Sequence, residues 1–205
     1  MNEFDIKAAG WDLNPMHLER AAAVARLIKK RIPLEKSMKV LEFGAGTGLT
    51  SFLLQNDVGE ITMMDSSPEM VKIMVEKTKR ADSRNLKPLF FDLEKNDWEG
   101  EKFDLIVTQM VLHHVVDVEQ LVFKFQKMLS PHGRLAIADL YPEDGSFHGN
   151  NFNGHKGFDP VELSGLLKNR GFETLTHENC YVISKIIPDA SIRQFDIFLL
   201  IAQKR

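Results

Sequence analysis

Cysteine is almost absent from this chain of 205 residues, because Cys180 is its only one. A single cysteine cannot form an intrachain disulfide, which fits a reducing cytoplasm. No apolar run approaches the length of a membrane span. The first residues also lack the basic stretch and apolar core of a signal peptide. We therefore expect a cytoplasmic protein without a membrane span.

An excess of charge of either sign is also missing. The chain carries 26 Lys and Arg against 29 Asp and Glu, for a net charge of −3. A protein that binds nucleic acid over a broad surface is expected to carry an excess of positive charge. Hydrophobic residues make up 43% of the chain and charged residues 27%, as in ordinary globular proteins. We expect one α/β domain and no nucleic-acid partner.

Strands and helices are predicted to alternate along most of the chain. The predicted strands are Lys39 to Phe43, Glu60 to Met64, Lys87 to Phe91, Phe103 to Thr108, Arg134 to Asp139, Glu173 to Ser184 and Ile192 to Gln203. Residues 130 to 133 are expected to interrupt the regular secondary structure before the fifth strand. Pro188 and Asp189 lie in the last connection, which favours an antiparallel final pair. The pattern predicts an α/β fold with a doubly wound, mostly parallel sheet.

Two segments lie outside this alternation. Asn14 and Pro15 predict a helix that runs to about Arg31. The stretch from Tyr141 to Phe158 is long and irregular, and loops of this length are often functional. It is interpreted as a lid over a pocket, with a surface insertion as the alternative. The expected organisation is one domain, 1–205, with a helical cap over 1–36 and a core over 37–205 that includes the 141–158 loop.

The run from Val40 to Gly48 contains the most informative motif. A short apolar strand leads into Gly44, Gly46 and Gly48, and a helix can follow. A strand, a glycine turn and a helix N-terminus form a cradle for nucleotides. The dinucleotide fingerprint is G-x-G-x-x-G, and Leu49 stands where its third glycine belongs. A tight turn without a ligand is the structural alternative.

The G-x-G-x-G turn after Glu42, the run from Asp65 to Met70 and the run from Phe90 to Glu94 resemble the class I S-adenosylmethionine-dependent methyltransferases. The overall pattern is similar to the small-molecule enzymes around the quinone-biosynthesis methyltransferases. This resemblance implies a seven-stranded Rossmann-like sheet with an antiparallel C-terminal strand and a helical N-terminal cap. It also implies S-adenosylmethionine as cofactor, S-adenosylhomocysteine as product and a small-molecule acceptor.

The resemblance also implies roles for particular residues. Asp65 would bind the ribose, Met70 would pack on the adenine, and Asp92 with the backbone of Leu93 would read the adenine edge. Glu42 and the backbone at Gln109 and Met110 would hold the amino-acid tail. The full implied set of cofactor-binding residues is Glu42, Gly44, Ala45, Gly46, Gly48, Asp65, Ser66, Met70, Asp92, Leu93, Gln109 and Met110.

Structural readings compete with several of these roles. Asp65 precedes a helix and can act as a cap, while Asp92 can be a solvated turn residue. Met70 can be an ordinary core methionine. Glu42 can bind a backbone N–H at the end of its strand.

The acceptor is expected to contact His113, His114 and Tyr141, which follow the fourth and fifth strands. Histidine titrates near neutral pH, so one of the pair can act as a base, although packing is the simpler role. No catalytic residue is assigned, because transfer from a sulfonium mainly requires alignment. Trp11 is expected to close over the methionine portion.

No metal ion is expected at this site. His148 and His155 lie in the long loop, and their spacing from His113 matches no compact ligand motif. The cation-dependent catechol-type methyltransferases carry an aspartate where Gln109 stands here. Other relatives that methylate amino groups of nucleic acids carry a Pro-Pro motif that the run TQMV lacks.

Two other function classes stay open. A nicotinamide-dependent oxidoreductase would also use a Rossmann-like sheet, but Leu49 disfavours it. The other class is a catalytically silent binding module with a methyltransferase fold. The chain argues against it because it retains the expected cofactor residues Gly44, Gly46, Gly48, Asp65 and Asp92. No oligomeric state is predicted.

Overall fold

A computed structural model describes residues 3–149, 152–187 and 190–205. Asn150 and Asn151 of the predicted loop, and Pro188 and Asp189 of the last connection, lie outside the described residues. Seven strands form one sheet in the order β3-β2-β1-β4-β5-β7-β6. The strands are β1 (Lys39–Phe43), β2 (Glu60–Asp65), β3 (Leu86–Phe90), β4 (Phe103–Gln109), β5 (Leu129–Leu140), β6 (Phe172–Ile186) and β7 (Ile192–Lys204).

The helices flank this sheet. They are α1 (Glu3–Lys7), α2 (Pro15–Arg31), α3 (Leu49–Leu54), α4 (Pro68–Arg80), α5 (Val118–Met128) and α6 (Pro160–Asn169). Short 3-10 helices cover Ala8–Leu13 and Leu112–His114. Buried apolar clusters lie on the two faces of the sheet, as expected when helices cover both faces.

The fold class predicted from the sequence is confirmed. β1 pairs in parallel with β2 and β4, and β7 is antiparallel to both β5 and β6. The strand order reverses between β1 and β4. In doubly wound sheets, ligands bind outside the carboxyl ends of the strands at such a reversal. The fold therefore places a crevice beside the residues that follow β1 and β4.

β5 starts earlier than the sequence predicts. Phe103 pairs with Leu129, and the next pair joins Leu105 to Arg134. The residues 130 to 133 are therefore accommodated as an irregularity inside the strand, where His132 takes a positive φ of 61°. The expected break is real as a local distortion, but pairing with β4 continues on both sides of it.

The N-terminal segment is docked onto the carboxyl edge of the sheet. Asp5 accepts a hydrogen bond from Ser67 Oγ at 2.6 Å. Asp12 accepts from Thr47 Oγ1 and from Lys77 Nζ, the latter at 2.7 Å. These bonds join the segment to the loops after β1 and β2. Among the described residues, no helix is both long and apolar enough to cross a membrane.

The N-cap of α5 yields a stability prediction. Asp117 Oδ1 accepts the backbone N–H of Gln120 at 2.8 Å, as its sequence position predicts. Replacing Asp117 with Ala should lower the free energy of unfolding by about 1 kcal/mol, because that N–H loses its partner. Urea unfolding measures the effect. Gln120→Ala keeps the backbone donor and is the matched control. Equal stability of both variants would contradict a capping role.

Candidate active site

A cavity of about 1120 Å³ opens at the carboxyl edge of the sheet. Typical small-molecule sites occupy roughly 300–1,000 Å³, so this one has room for a nucleotide-sized ligand and a second, smaller molecule. Its wall is built by the loops after β1 to β4, by the N-terminal segment, by the loop after β5 and by β6. The cavity therefore lies where the strand order reverses.

The glycine turn forms one wall of this cavity. Gly44 and Gly46 take φ values of 68° and 58°, which favour glycine. A Cβ on Gly44 would lie 2.4 Å from Val111 Cγ2. A Cβ on Gly46 would meet nothing nearer than Trp11 Nε1, at 3.8 Å. Gly44 therefore has no room for a side chain, because Val111 packs against it. At Gly46 the space that a Cβ would occupy is open to the cavity and lies beside Trp11.

Asp65 joins two of the loops. Its Oδ2 accepts the N–H of Gly46 at 2.7 Å, and its Oδ1 accepts the N–H of Ser67 at 2.8 Å. Ser67, rather than Asp65, is the N-cap of α4, since its side chain accepts from Met70 N. Burial raises the pKa of Asp65 despite these hydrogen bonds. The carboxylate lines the cavity and has further lone pairs for a ligand.

Glu42 lies behind the glycine turn. Its Oε2 accepts from the backbone N–H of Ser51 at 3.0 Å and from the Ser51 hydroxyl. Burial raises the pKa of Glu42 to about 7, and the bonds from Ser51 oppose that rise. Burial therefore favours the protonated form of Glu42 compared with an exposed carboxyl group. It binds the start of α3, which is the structural alternative noted for it.

The ends of β3 and β4 supply further parts of the wall. Asp92 and Leu93 line the cavity, and Asp92 Oδ2 accepts from Lys95 Nζ at 2.6 Å. Met110 has a φ of 56°, an uncommon conformation for a non-glycine residue. Its N–H donates to the carbonyl of Ala138 at 2.8 Å. Strained backbone of this kind clusters at ligand sites, and Met110 lies where the resemblance implies backbone contacts.

Three histidines lie close together in the cavity wall. His113 is only 1% exposed, and its Nδ1 lies 2.6 Å from Asp139 Oδ1. Since a carboxylate only accepts hydrogen bonds, Nδ1 donates and Nε2 keeps a free lone pair. His114 and His148 lie beside it, with ring centroids 4.2 Å and 5.0 Å from that of His113. Burial, followed by the neighbouring histidines, lowers the pKa of His114 to about 4 and of His148 to about 3.

Two cationic side chains, Arg20 and Lys185, also line the cavity. Arg20 is 6% exposed, and its Nη1 donates to the weak acceptor Met16 Sδ at 3.6 Å. Its Nε has no hydrogen-bond partner among the described residues. Lys185 of β6 donates to the carbonyl of Phe147. Burial lowers the pKa of Arg20 to about 10 and also lowers that of Lys185.

The structure brings most of the predicted site residues to one cavity. Its wall includes Gly44, Gly46, Asp65, Ser66, Met70, Asp92, Leu93, Gln109, Met110, His113 and His114. Glu42, Ala45 and Gly48 lie behind the wall. Tyr141 does not line the cavity: its ring packs against Phe198 at 5.4 Å, and its N–H donates to the carbonyl of Asp196. Trp11 does reach the glycine turn, as expected.

Sequence reasoning missed Arg20, Asp139 and Lys185. A signal for Arg20 was present, because it lies four residues from Met16 and four from Val24 on the apolar stripe of α2. A charge on a buried helix face is costly unless it is paired. Asp139 ends a strand at the same edge as Asp65, and that position was its signal. The sequence pattern of β6 contains no signal that would mark Lys185 as a site residue.

Fold and site together define a doubly wound α/β protein with a glycine turn after its first strand and a large cavity beside that turn. A family model described as a methyltransferase domain matches residues 16–177. The chain belongs to this family of S-adenosylmethionine-dependent methyltransferases. The seven-stranded architecture and the family predicted from the sequence are both confirmed.

Similar proteins agree with this placement. Methyltransferase C1347.09 of Schizosaccharomyces pombe is 31% identical over 151 residues, which cover 66% of this chain and 53% of that protein. A demethylmenaquinone methyltransferase of Listeria welshimeri is 27% identical over 54% of this chain and 48% of its own length. The chain thus spans about half the length of these curated relatives.

A solved structure shares the fold. The N-methyltransferase NodS of Bradyrhizobium japonicum, in complex with S-adenosylhomocysteine, gives a TM-score of 0.70 at 21% identity. The match covers 93% of this chain and 88% of NodS. Identity at this level supports the fold, and the ligand belongs to NodS.

The raised pKa of Glu42 yields a pH prediction. Its pKa is about 7 in the folded chain, against an ordinary value of 4.5. Between these values the folded chain holds a proton that the unfolded chain releases, so stability falls as pH rises. From about pH 5 to about pH 8, wild type should lose roughly 2–3 kcal/mol more unfolding free energy than Glu42→Gln, because about two pH units of this window lie between the unfolded and folded pKa values. Urea unfolding at both pH values measures it, and parallel losses would contradict the raised pKa.

Proposed function

We propose that this protein transfers the methyl group of S-adenosylmethionine to a small acceptor that carries an anionic group. The observation that carries the proposal is one cavity lined by two chemically different groups of residues. The glycine turn, Asp65 and Asp92 form the first group, and the three histidines and Arg20 form the second. Elements from both ends of the described chain contribute to this cavity, so we propose that residues 1–205 act as a single methyltransferase domain.

The cofactor is proposed to occupy the side next to the glycine turn. The cavity-facing backbone of Gly46 permits close approach of the methionine tail. Asp65 offers free lone pairs to the ribose hydroxyls, and Asp92 offers a carboxylate to the adenine amino group. Met70 lies on the wall between them and would pack on the ring. Backbone groups at Gln109 and Met110 would hold the amino-acid tail of the cofactor. Glu42 would contribute indirectly, because it supports the glycine turn that would contact the same tail.

Methyl transfer from a sulfonium is a displacement that needs alignment and a site without bulk water. The acceptor's nucleophilic atom forms a bond to the methyl carbon while the carbon–sulfur bond breaks, and S-adenosylhomocysteine leaves as a neutral thioether. Residues of the N-terminal segment and of the loop after β5 contribute to the wall of the cavity, and we propose that they shield it from bulk water. His113 and His114 are proposed to contact the acceptor, and Tyr141 is not carried into this proposal.

The charge of the acceptor follows from Arg20. A guanidinium buried without a strong partner is costly, and an anionic ligand would supply the missing hydrogen bonds. Asp139 lowers this cost only in part, since its oxygens are engaged by His113 and by the backbone of Leu140. Lys185 adds a second positive charge to the same wall. A carboxylate-bearing or phosphate-bearing small molecule therefore fits better than a neutral one.

Two alternatives remain testable. A nicotinamide-dependent oxidoreductase would be stabilised by NAD or NADP rather than by S-adenosylhomocysteine in a thermal unfolding assay. A binding module would bind S-adenosylhomocysteine but transfer no labelled methyl group across a panel of acceptors. A cytoplasmic location stays a prediction, and the single free cysteine, Cys180, is consistent with it.

Gly46 provides the test of the cofactor cradle. Gly46→Ala places a Cβ in the cavity and strains a turn with φ of 58°, so affinity for S-adenosylhomocysteine should fall about tenfold or more. Gly171→Ala is the matched control, because Gly171 has a φ of 84°, no close contact at its Cβ position and no place in the cavity wall. Calorimetry on both folded variants measures the difference. Equal affinities would remove Gly46 from the cradle.

Arg20 provides the test of the acceptor. Wild type should methylate acids in preference to their neutral amides in a screen with a labelled methyl donor. Arg20→Gln should reduce that preference about tenfold or more, because a charge-assisted hydrogen bond is lost, and should leave S-adenosylhomocysteine affinity unchanged. Arg26→Gln, an exposed change on the same helix, is the control. A preference for neutral acceptors in wild type would overturn this assignment.

A further inference from the structure

We propose that His113, His114 and His148 bind a divalent transition-metal ion of the Zn²⁺ type in the acceptor side of the cavity. One ring nitrogen from each histidine lies within 4.8 Å of the other two. The sequence predicts no metal ion here, because the spacing of the loop histidines from His113 matches no compact ligand motif. The inference does not depend on methyl transfer, since metal binding is measured without turnover.

The distances between the three ring nitrogens are only slightly longer than those in a metal-bound site. Zinc–imidazole bonds of about 2.0–2.1 Å place tetrahedral ligand nitrogens roughly 3.4 Å apart. The three nitrogens therefore need to approach one another by about an ångström or more at the widest separation, which small side-chain rotations provide. His148 is held near this position, because its ring stacks on Phe152 with centroids 4.0 Å apart.

Asp139 supplies the orienting partner that metal-binding histidines usually have. It accepts the Nδ1–H of His113 at 2.6 Å and thereby leaves Nε2 free to bind an ion. Asp139 is itself fixed, since it also accepts the N–H of Leu140 at 2.7 Å and the N–H of His113 at 3.3 Å. A buried carboxylate that sets the tautomer of a buried histidine is a feature of built metal sites.

A second observation, independent of the distances between the histidines, also indicates that His148 binds a ligand. Its Nε2 is buried and has no hydrogen-bond partner among the described residues. A buried ring nitrogen without a partner costs free energy, and a bound ion would remove that cost. His155, from the same loop, lacks this feature because its Nε2 lies 3.1 Å from the carbonyl of Val115.

The ligand set selects the kind of ion. Imidazole nitrogens favour Zn²⁺, Co²⁺, Ni²⁺ or Cu²⁺, whereas Mg²⁺ and Ca²⁺ favour oxygen ligands. Three protein ligands leave a fourth position open, as in catalytic zinc sites. All three histidines line the cavity, so that position is accessible to an acceptor oxygen. An anionic acceptor would there bind both the ion and Arg20.

Cobalt provides a direct probe of the site. Tag-free protein is stripped with a chelator and titrated with Co²⁺, followed by its visible absorption, and Zn²⁺ then competes for the site. We expect one equivalent to bind, with no competition from Mg²⁺. His148→Ala should weaken binding at least tenfold, and Asp139→Asn by roughly 10–100-fold through His113. His177→Ala, an exposed histidine on β6, should change nothing.

Two measurements keep the outcome unambiguous. Circular dichroism and thermal unfolding establish that each variant is folded, and His148→Ala is preferred because His113 is fully buried. Calorimetry with S-adenosylhomocysteine on the same variant should show unchanged affinity, which separates this inference from the proposed function. Absence of saturable Co²⁺ binding to wild type, or equal binding to His148→Ala, would overturn the metal site.

Discussion

The carboxylate of Asp65 is the group on which the geometry of the cavity depends. One oxygen holds the N–H of Gly46 and the other holds the N–H of Ser67, so the loops after β1 and β2 are fixed relative to each other. Ser67 in turn donates to Asp5 of the N-terminal segment. The glycine turn, the start of α4 and the cap over the cavity therefore share one charged hydrogen-bonding centre, which is partly desolvated.

The proposed acceptor side is built differently, from segments far apart in the chain. α2 supplies Arg20, the end of β4 leads to His113, and the loop after β5 supplies His148. Its polar groups are only partly satisfied: the Nε of Arg20 and the Nε2 of His148 are buried without partners among the described residues. Native proteins rarely leave such groups unpaired in a core. Their concentration in one cavity wall is what points to ligands there.

Most of the scaffold was predictable because its signals are local. Asn14 caps α2 where the sequence predicts its start, and Ser67, Asp117 and Asp159 are residues of the capping type at the starts of α4, α5 and α6. The glycines at the end of β1 predict a turn with positive φ values, which glycine adopts more easily than other residues. The course of β5 was not predictable, since pairing with β4 continues through residues that break a strand in isolation. Tertiary pairing outweighed local preference there.

The sequence by itself determined the fold class and which residues line the proposed cofactor side of the cavity. Parallel strands bring their carboxyl ends to one edge, so Gly46, Asp65 and Asp92 had to meet once the strands were recognised. Only the tertiary structure decided the acceptor side. The approach of His148 to His113, and the burial of Arg20 near Asp139, result from long-range packing of loops and helices. Contacts of that kind depend on how the whole core closes, and no local pattern encodes them.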